Sequence, residues 1–325
     1  MEKIQDRIIG RFTGSEEGPL LVCLAGVHGN EPAGVKALDL MFKMLEVEPI
    51  TNPSFSFRGR FLGLKGNLQA IRSEQRFIRW DLNRMWKPEL IRSIMDRPLN
   101  ELVAEERELR ELLTIIRQEI SDYQPERLVL LDLHTTTAHG GIFCIATDDP
   151  ESIRIAIELH APVITGFLRG IQGTTLHYFN NEHFEPPTVA VCFESGQHYD
   201  NLSVNRAIAA ITNCMRIIGC VRAEDVENRH DELLIEYARN LPKLAELVTA
   251  HRVRAEDGFK MMPDYKNFQR VKKGEILAYD KRGPIRASAD ARILMPLYQK
   301  QGDDGFFLIR PLEEKIKLGS EKIPG

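Results

Sequence analysis

The chain has 325 residues and a mass of 37.1 kDa, a length that predicts about two domains. Hydrophobic residues make up 43% and charged residues 28%, an ordinary globular composition that excludes wholesale disorder. Because 43 Lys and Arg residues face 47 Asp and Glu residues, the formal charge is −4, and nucleic acid is not expected as a partner.

Segments for export or membrane insertion are not expected. The apolar runs are shorter than the roughly 20 residues of a membrane-spanning helix, and the first residues, MEKIQDRIIGRF, lack the apolar stretch of a secretory leader. A cytoplasmic location is therefore predicted. The cysteines form no CxxC pair and are predicted to be buried, reduced thiols: Cys23, Cys144, Cys192, Cys214 and Cys220.

Predicted strands and helices alternate over the first two thirds of the chain. In chain order they are a strand from residue 19, a helix at 31–48, a strand at 55–64, a helix at 100–123, strands at 127–133 and 141–146, a helix at 150–160, a strand at 188–193 and a helix at 203–218. Asn100 is the candidate N-cap of the long helix, whose charged run is expected to be a solvated face. The alternation predicts an α/β fold with a mostly parallel mixed sheet and helices on both faces.

The pattern changes after Gly219. A polar stretch and a predicted helix at 231–246 lead into short alternating strands within 248–259, 271–280, 285–296 and 304–311, separated by glycine and proline. We therefore predict an α/β domain at residues 1–222, followed at 223–325 by a linker helix and a smaller C-terminal β domain.

Two histidines and a glutamate follow predicted strands. His28 and Glu31 form an HxxE pair in the loop GVHGNEPAG, and His134 follows the strand RLVLLDL. About one HxxE pair is expected by chance in such a chain, so the argument rests on its position at the carboxyl end of a strand, where ligands of open α/β sheets bind. Two imidazoles and one carboxylate are a typical set for catalytic zinc. Two unrelated loop histidines are the alternative.

Two acids lie near the same predicted edge of the sheet. Asp132 shares a strand face with His134 and is a candidate to orient its imidazole, although an ordinary strand-end acid fits equally well. Glu194 ends the strand TVAVCF and is a candidate general base whose apolar neighbours would raise its pKa. The alternative for Glu194 is an acid favoured by the dipole of the following helix.

Three polar residues precede the long helix. Arg76 is a candidate to polarise a carbonyl or stabilise an oxyanion, and Asn83 with Arg84 is a candidate pair for binding a carboxylate. Judged by position alone, surface salt bridges are the favoured interpretation of both arginines.

The segments GVHGNEPAG, DLNRMW, DLHTTT and FESGQ, in this order, resemble the signature segments of the aspartoacylase and succinylglutamate desuccinylase family, a branch of the zinc carboxypeptidase-like fold. The resemblance runs through most of the chain and includes the spacing between the segments. The roles it implies are ligands of one zinc ion at His28, Glu31 and His134, a general base at Glu194, a carbonyl- or oxyanion-binding Arg76 and a carboxylate-binding pair at Asn83 and Arg84.

The resemblance implies a zinc-dependent hydrolase that removes the acyl group from a small N-acyl amino acid, with residues 271–296 in a β domain that leans over the site. Residues 195–198, SGQH, differ from the aspartoacylase version of this loop, so N-acetylaspartate is not implied as the substrate. A carboxypeptidase acting on short peptides and a non-catalytic metal-binding protein are the alternatives, and the retained Glu194 argues against the second.

Several points stay open at the level of the sequence. They are the acyl group, the amino acid, the preferred metal and the oligomeric state, with a homo-oligomer among the options. The roles of His139, His198 and Tyr199 are also open, since each could line the pocket or belong to the surrounding structure.

Overall fold

The computed structural model describes residues 6–226 and 229–312. In these ranges the strands are β1 (Ile8–Thr13), β2 (Glu16–Ala25), β3 (Arg58–Lys65), β4 (Leu128–Thr136), β5 (Phe143–Ala146), β6 (Val163–Thr165), β7 (Thr188–Gln197), β8 (Leu244–Arg252), β9 (Lys260–Met261), β10 (Arg270–Val271), β11 (Ile276–Asp280), β12 (Gly283–Arg286), β13 (Ala291–Leu294) and β14 (Asp304–Pro311). The helices are α1 (Pro32–Thr51), α2 (Leu68–Ser73), α3 (Pro88–Asp96), α4 (Glu105–Tyr123), α5 (Pro150–Glu158), α6 (Phe167–Gly170), α7 (Thr175–Tyr178), α8 (Asn201–Ile217) and α9 (Arg229–Ala238).

One large mixed sheet organises the fold. Its eleven strands follow the order β1-β3-β2-β4-β7-β5-β6-β8-β14-β13-β10, and β12-β11-β9 form a separate three-stranded sheet. The central neighbours β3, β2, β4 and β7 are parallel. At the other end of the sheet, β8, β14, β13 and β10 pair antiparallel in that order. The predicted fold class, a mixed α/β sheet with additional C-terminal strands, is confirmed.

Helices cover both faces of this sheet because its central strands are apolar on both sides. Along β2, Leu20, Val22 and Leu24 belong to one core cluster with apolar residues of α4. The alternate residues Leu21 and Cys23 belong to a second cluster with apolar residues of α1 and α8. All five cysteines are free thiols and buried, as predicted.

The long helix α4 differs from its prediction. It begins at Glu105, after Ala104 with a φ of 41°, and residues 99–101 form a separate 3-10 turn. Asn100 is therefore not its N-cap. The solvated-face interpretation of its charges is wrong for Glu105, Glu106, Glu108 and Glu119, which are buried.

The helix predicted at 231–246 is also too long. It ends at Ala238, and the chain enters β8 at Leu244. The reason is tertiary, because β8 pairs with both β6 and β14 and these ladders override local helix preference.

The predicted division at residue 222 stays a prediction. The strands β8, β14, β13 and β10 continue the large sheet beyond that point, while β9, β11 and β12 form the small one. Residues 1–5, 227–228 and 313–325 of the two predicted domains lie outside the described residues. Within the described ranges, none of the helices combines the length and apolar character needed to cross a membrane.

Candidate metal centre and active site

The site residues follow three neighbouring parallel strands. His28 lies in the loop after β2, and Glu31 directly precedes Pro32, the first residue of α1, where proline favours helix initiation. His134 on β4 lies opposite Glu194 on β7 in the register of the sheet. Both strands run a few residues further than the sequence predicts, so these two side chains project from the strands themselves.

The carboxylate of Glu31 joins the two histidines. Its Oε1 lies 2.8 Å from His28 Nδ1 and its Oε2 lies 3.0 Å from His134 Nδ1. One ligand atom from each of the three residues lies within 4.8 Å of the others, and all three side chains are buried. Two imidazole nitrogens and one carboxylate in this arrangement fit the ligand set of a catalytic zinc ion.

A second carboxylate stands behind each imidazole. His28 Nε2 lies 3.1 Å from Asp81 Oδ1, and His134 Nε2 lies 3.1 Å from Asp132 Oδ2. The first contact is a hydrogen bond, and an outer carboxylate of this kind can fix the orientation of a ligand histidine and leave Nδ1 for a metal. The second is a close charge contact without hydrogen-bond geometry at His134 Nε2. The contact of Asp132 agrees with the prediction from strand periodicity, whereas Asp81 was not singled out from the sequence.

The charges of this cluster are coupled. Burial alone would raise the pKa values of Glu31 and Asp81. His28 and His134 hold the pKa of Glu31 well below its usual range, and Arg76 and then His28 do the same for Asp81. Burial alone would lower the pKa of His134, but Asp132 and Glu31 raise it well above its usual value. The cluster is therefore electrostatically suited to hold positive charge.

Close backbone packing positions the HxxE loop. A Cβ atom on Gly29 would lie 2.0 Å from the carbonyl carbon of Ala70, so only glycine fits there. The amide of Gly29 donates to the carbonyl of Arg76 at 3.2 Å, which ties this loop to the next segment of the site.

Arg76 lies beside the cluster of His28, Glu31 and His134. Its Nη2 donates to Asp81 Oδ2 at 2.9 Å, its Nε donates to the same oxygen at 3.2 Å, and Nη1 lies 3.8 Å from Glu31 Oε1. The pair is largely buried, with side-chain exposures of 12% for Arg76 and 5% for Asp81, so the surface interpretation does not fit this arginine.

A buried carboxylate at the start of α4 shapes the loop that carries Arg76 and Asp81. Glu105 accepts hydrogen bonds from the amides of Ile78 at 2.6 Å and Trp80 at 3.1 Å. Sequence reasoning missed this residue, because its partners lie more than 20 positions earlier in a loop without a recognisable pattern.

Glu194 is buried on β7 near the candidate metal ligands. Its Oε2 has no hydrogen-bond partner among the described residues. Burial raises the pKa of Glu194 to about 8; His134 opposes this shift, and Glu31 and Asp132 add to it. The direction agrees with the expectation from its apolar neighbours, and such a pKa is typical of a group that accepts and returns a proton near neutral pH.

Asn83 and Arg84 lie in the 3-10 turn after Asp81. Asn83 Oδ1 accepts from the amide of Thr175 at 3.1 Å, and Arg84 Nη1 donates to the carbonyl of Asn83 at 2.6 Å. Arg84 Nη2 also binds Asp304 of β14, whose other oxygen binds Arg252. Asp304 was not singled out from the sequence, and its pairing places Arg84 in a mostly buried ion pair, with 18% of its side chain exposed.

One cleft brings together all of the site residues predicted from the sequence, namely His28, Glu31, Arg76, Asn83, Arg84, His134 and Glu194. The three residues whose roles the sequence leaves open, His139, His198 and Tyr199, are not among those that line this cleft. His139 is exposed, His198 is buried with Nδ1 2.6 Å from Thr135 Oγ1, and the side chain of Tyr199 is exposed.

The family model for the succinylglutamate desuccinylase/aspartoacylase catalytic domain matches residues 17–218, which contain every predicted site residue. The chain belongs to this family. The two activities in the name of the family are hydrolytic, and the match ends at Ile218, before α9 and the C-terminal strands.

Individual proteins of this family are also similar to this chain, one in sequence and two in structure. Succinylglutamate desuccinylase of Pseudomonas fluorescens (strain Pf0-1) is 37% identical over 71 residues, which is 22% of this chain and only about a fifth, 20%, of that relative. The crystal structure of succinylglutamate desuccinylase from Vibrio cholerae matches with a TM-score of 0.59 at 17% identity, over 91% of this chain and 82% of that one. The succinylglutamate desuccinylase/aspartoacylase structure from Rhodobacter sphaeroides matches with a TM-score of 0.60 at 15% identity, over 91% and 87%. At these identities the two structures show a shared fold.

Residues beyond the matched segment contribute to the same cleft. Met295, Asp304 and Phe307 line it. Asn30, in the HxxE loop, donates to Gln299 Oε1 at 2.7 Å, and Gln301 binds the backbone of the loop that carries Arg76. The C-terminal part of the chain is therefore in direct contact with both loops of the site.

Proposed function

We propose that this chain is a zinc-dependent hydrolase that cleaves the amide bond of a small N-acyl amino acid. The observation that carries the proposal is a pair of carboxylates with different surroundings. Glu31 is joined to the Nδ1 atoms of two buried histidines, whereas Glu194, on the strand beside His134, has a buried oxygen without a partner. One group suits metal binding and the other suits proton transfer.

His28, Glu31 and His134 would hold one zinc ion. When bound, zinc supplies a Lewis acid that lowers the pKa of a water molecule and polarises a carbonyl group. Asp81, which is hydrogen-bonded to His28 Nε2, and Asp132, which lies 3.1 Å from His134 Nε2, would orient the two imidazoles and leave their Nδ1 atoms for the metal.

Glu194 would act as the general base. In the reaction, the oxygen of water bonds to the acyl carbon, the carbon–nitrogen bond breaks, and one proton of that water reaches the leaving nitrogen. Glu194 Oε2, which has no hydrogen-bond partner among the described residues, accepts this proton and returns it to the amine. The pKa of about 8 belongs to the metal-free chain, and a bound cation nearby would lower it, so that the carboxylate is ionised when it accepts the proton. The products are a carboxylate and a free amino acid.

The arginines would orient the substrate. Arg76 uses Nε and Nη2 on Asp81, so Nη1 is the donor available to the carbonyl oxygen as negative charge develops there. Arg84 Nε is buried without a partner among the described residues, and with the side-chain nitrogen Nδ2 of Asn83 it would bind the substrate carboxylate. A remote carboxylate held in this way fixes the position of the amide.

The experiment is amine release by the zinc-loaded protein from N-acetyl and N-succinyl amino acids and from dipeptides. Glu194→Gln and chelator treatment should both abolish release, and Glu46→Gln, at an exposed carboxylate of α1, is the matched control. Cleavage of dipeptides alone would replace the proposal with a carboxypeptidase. Protein that binds about one zinc per chain but hydrolyses none of these amides would replace it with a metal-binding protein.

The same proposal includes a small molecule as substrate and a cytoplasmic location. The formal charge of −4 supports the exclusion of nucleic acid as a substrate, because phosphate binding favours a positive surface.

A further inference from the structure

The polar side of the cleft has little positive charge to offer a substrate. Among its lining residues the arginines are Arg76 and Arg84. Each is already paired with a carboxylate of the chain, Arg76 with Asp81 and Arg84 with Asp304. After one substrate carboxylate has bound near Arg84, the described residues that line the cleft include no further arginine or lysine for a second.

The cleft also has apolar lining residues. Its wall, here called the apolar wall, is formed by Ile145, Phe167, Leu168, Ile171, Leu176 and Phe307. These side chains come from β5, from the segment between β6 and β7 that contains α6 and α7, and from β14. All are buried except Leu168, which is half-buried.

The apolar wall adjoins both the candidate base Glu194 and the pair Asn83 and Arg84, here called the carboxylate anchor. Ile145 lies opposite Cys192 in the sheet, two residues before Glu194 and therefore on the same face of β7. At the other end, the segment that bears Leu176 is joined to the anchor by the hydrogen bond from Thr175 to Asn83. A group attached between the scissile nitrogen and the bound carboxylate would therefore face this wall.

We propose that the amino-acid half of the substrate carries a single carboxylate and an apolar side chain that packs against the apolar wall. This inference rests on the proposed function and narrows it. A second carboxylate would lose its hydration against apolar side chains without gaining a cationic partner, which is unfavourable. An aliphatic or aromatic side chain would instead bury apolar surface there.

The first test keeps the acyl group constant. With zinc-loaded wild-type protein, kcat/KM is measured for the N-acetyl derivatives of leucine, phenylalanine, aspartate and glutamate. Because the acidic side chains would lose hydration against the apolar wall without a cationic partner, whereas leucine and phenylalanine bury apolar surface there, the apolar substrates should exceed the acidic ones by about 100-fold or more. Equal values or a preference for the acidic substrates would overturn this inference and leave the proposed function intact. Absence of hydrolysis for all N-acyl amino acids would instead contradict the proposed function.

The second test changes the wall itself. Leu168→Arg places a cation at a half-buried position that can accommodate it, and Leu168→Met is the matched control of similar volume. The leucine-to-aspartate ratio of kcat/KM should fall at least about tenfold in the arginine variant, because the new cation pairs with the second carboxylate, and should stay unchanged in the methionine variant. An unchanged ratio in a folded arginine variant, with folding checked by thermal melting, would show that the side chain does not contact this wall and would overturn the inference. If the variant does not fold, the wild-type comparison decides.

Discussion

Replacing Glu194 with glutamine should abolish hydrolysis and, in the metal-free protein, increase stability at neutral pH. Glu194 has a pKa of about 8 in the folded chain because burial disfavours its charge. In the unfolded chain an ordinary glutamate has a pKa of about 4.3. Between these values the native state keeps a proton that the unfolded state releases, so wild-type stability is highest below the unfolded pKa and falls as the pH rises towards 8.

The size of the effect follows from the separation of the two pKa values. One pH unit is worth about 1.4 kcal/mol in this window, so the wild type should lose about 2 to 3 kcal/mol of unfolding free energy between pH 5 and pH 7 through this group alone. Glutamine has nearly the same shape and no such proton. The difference in unfolding free energy between Glu194→Gln and the wild type should therefore grow by that amount over the same interval.

Urea unfolding of chelator-treated protein at pH 5, 6 and 7 measures this difference. Glu46→Gln removes one negative charge from the exposed surface of α1 and controls for the change in net charge. A difference that stays constant with pH would mean that Glu194 is ionised in the metal-free native state, and the argument from its burial would be wrong. The activity measurement is separate, since loss of a general base typically costs about 10²- to 10⁴-fold.

Three further predictions concern the surroundings of the site. Arg84→Ala should raise KM for N-acyl amino acids by about tenfold or more, because it removes a charged partner of the carboxylate, whereas Arg252→Ala, at the exposed arginine that shares Asp304, should leave steady-state kinetics unchanged; equal effects would exclude a direct role of Arg84. Asp81→Asn and the same change at Asp132 should each weaken zinc binding by about 10- to 100-fold in a competition titration against a chelator, and unchanged affinity would show that these carboxylates do not support the ligands. Gly29→Ala should lower the melting temperature and the zinc affinity together, since its Cβ would meet backbone at 2.0 Å; a stable variant with normal affinity would contradict the close packing of the HxxE loop.

The sequence predicts the parts of this site that lie on strands. Every residue of β4 is buried, and its apolar residues predict a strand that leads into His134, although the strand continues past its predicted end at Leu133. The two-residue period of a strand then identifies Asp132 as its neighbour. Loop contacts follow no such period. The contact of Asp81 with His28 spans 53 positions, and that of Arg84 with Asp304 spans 220, so local pattern contains no signal for either.

The predicted ends of helices are wrong where tertiary structure overrides local preference. The sequence around Asn100 has the composition of a helix start, but the chain turns at Ala104 and the helix begins later, with Glu105 buried against the preceding loop. Reading the charges of α4 as a solvated face failed because these carboxylates have partners from other segments. Glu105 accepts hydrogen bonds from backbone amides, whereas Glu106, Glu108 and Glu119 form ion pairs with arginines. Such partners become visible only in three dimensions.

The continuity of the large sheet limits how the C-terminal part of this chain can be exchanged for that of a related protein. Asp304 and Phe307, which line the cleft, lie on β14, and β14 reaches the central strands through β8 and β6. A transplanted C-terminal half would have to restore the pairing of Val163 with Leu244, because a shift of one residue would turn the side chains of β8 and the strands beyond it to the opposite face. Phe167, Leu168 and Leu176 line the cleft outside the sheet, so single substitutions there would change the lining without changing the register of the strands.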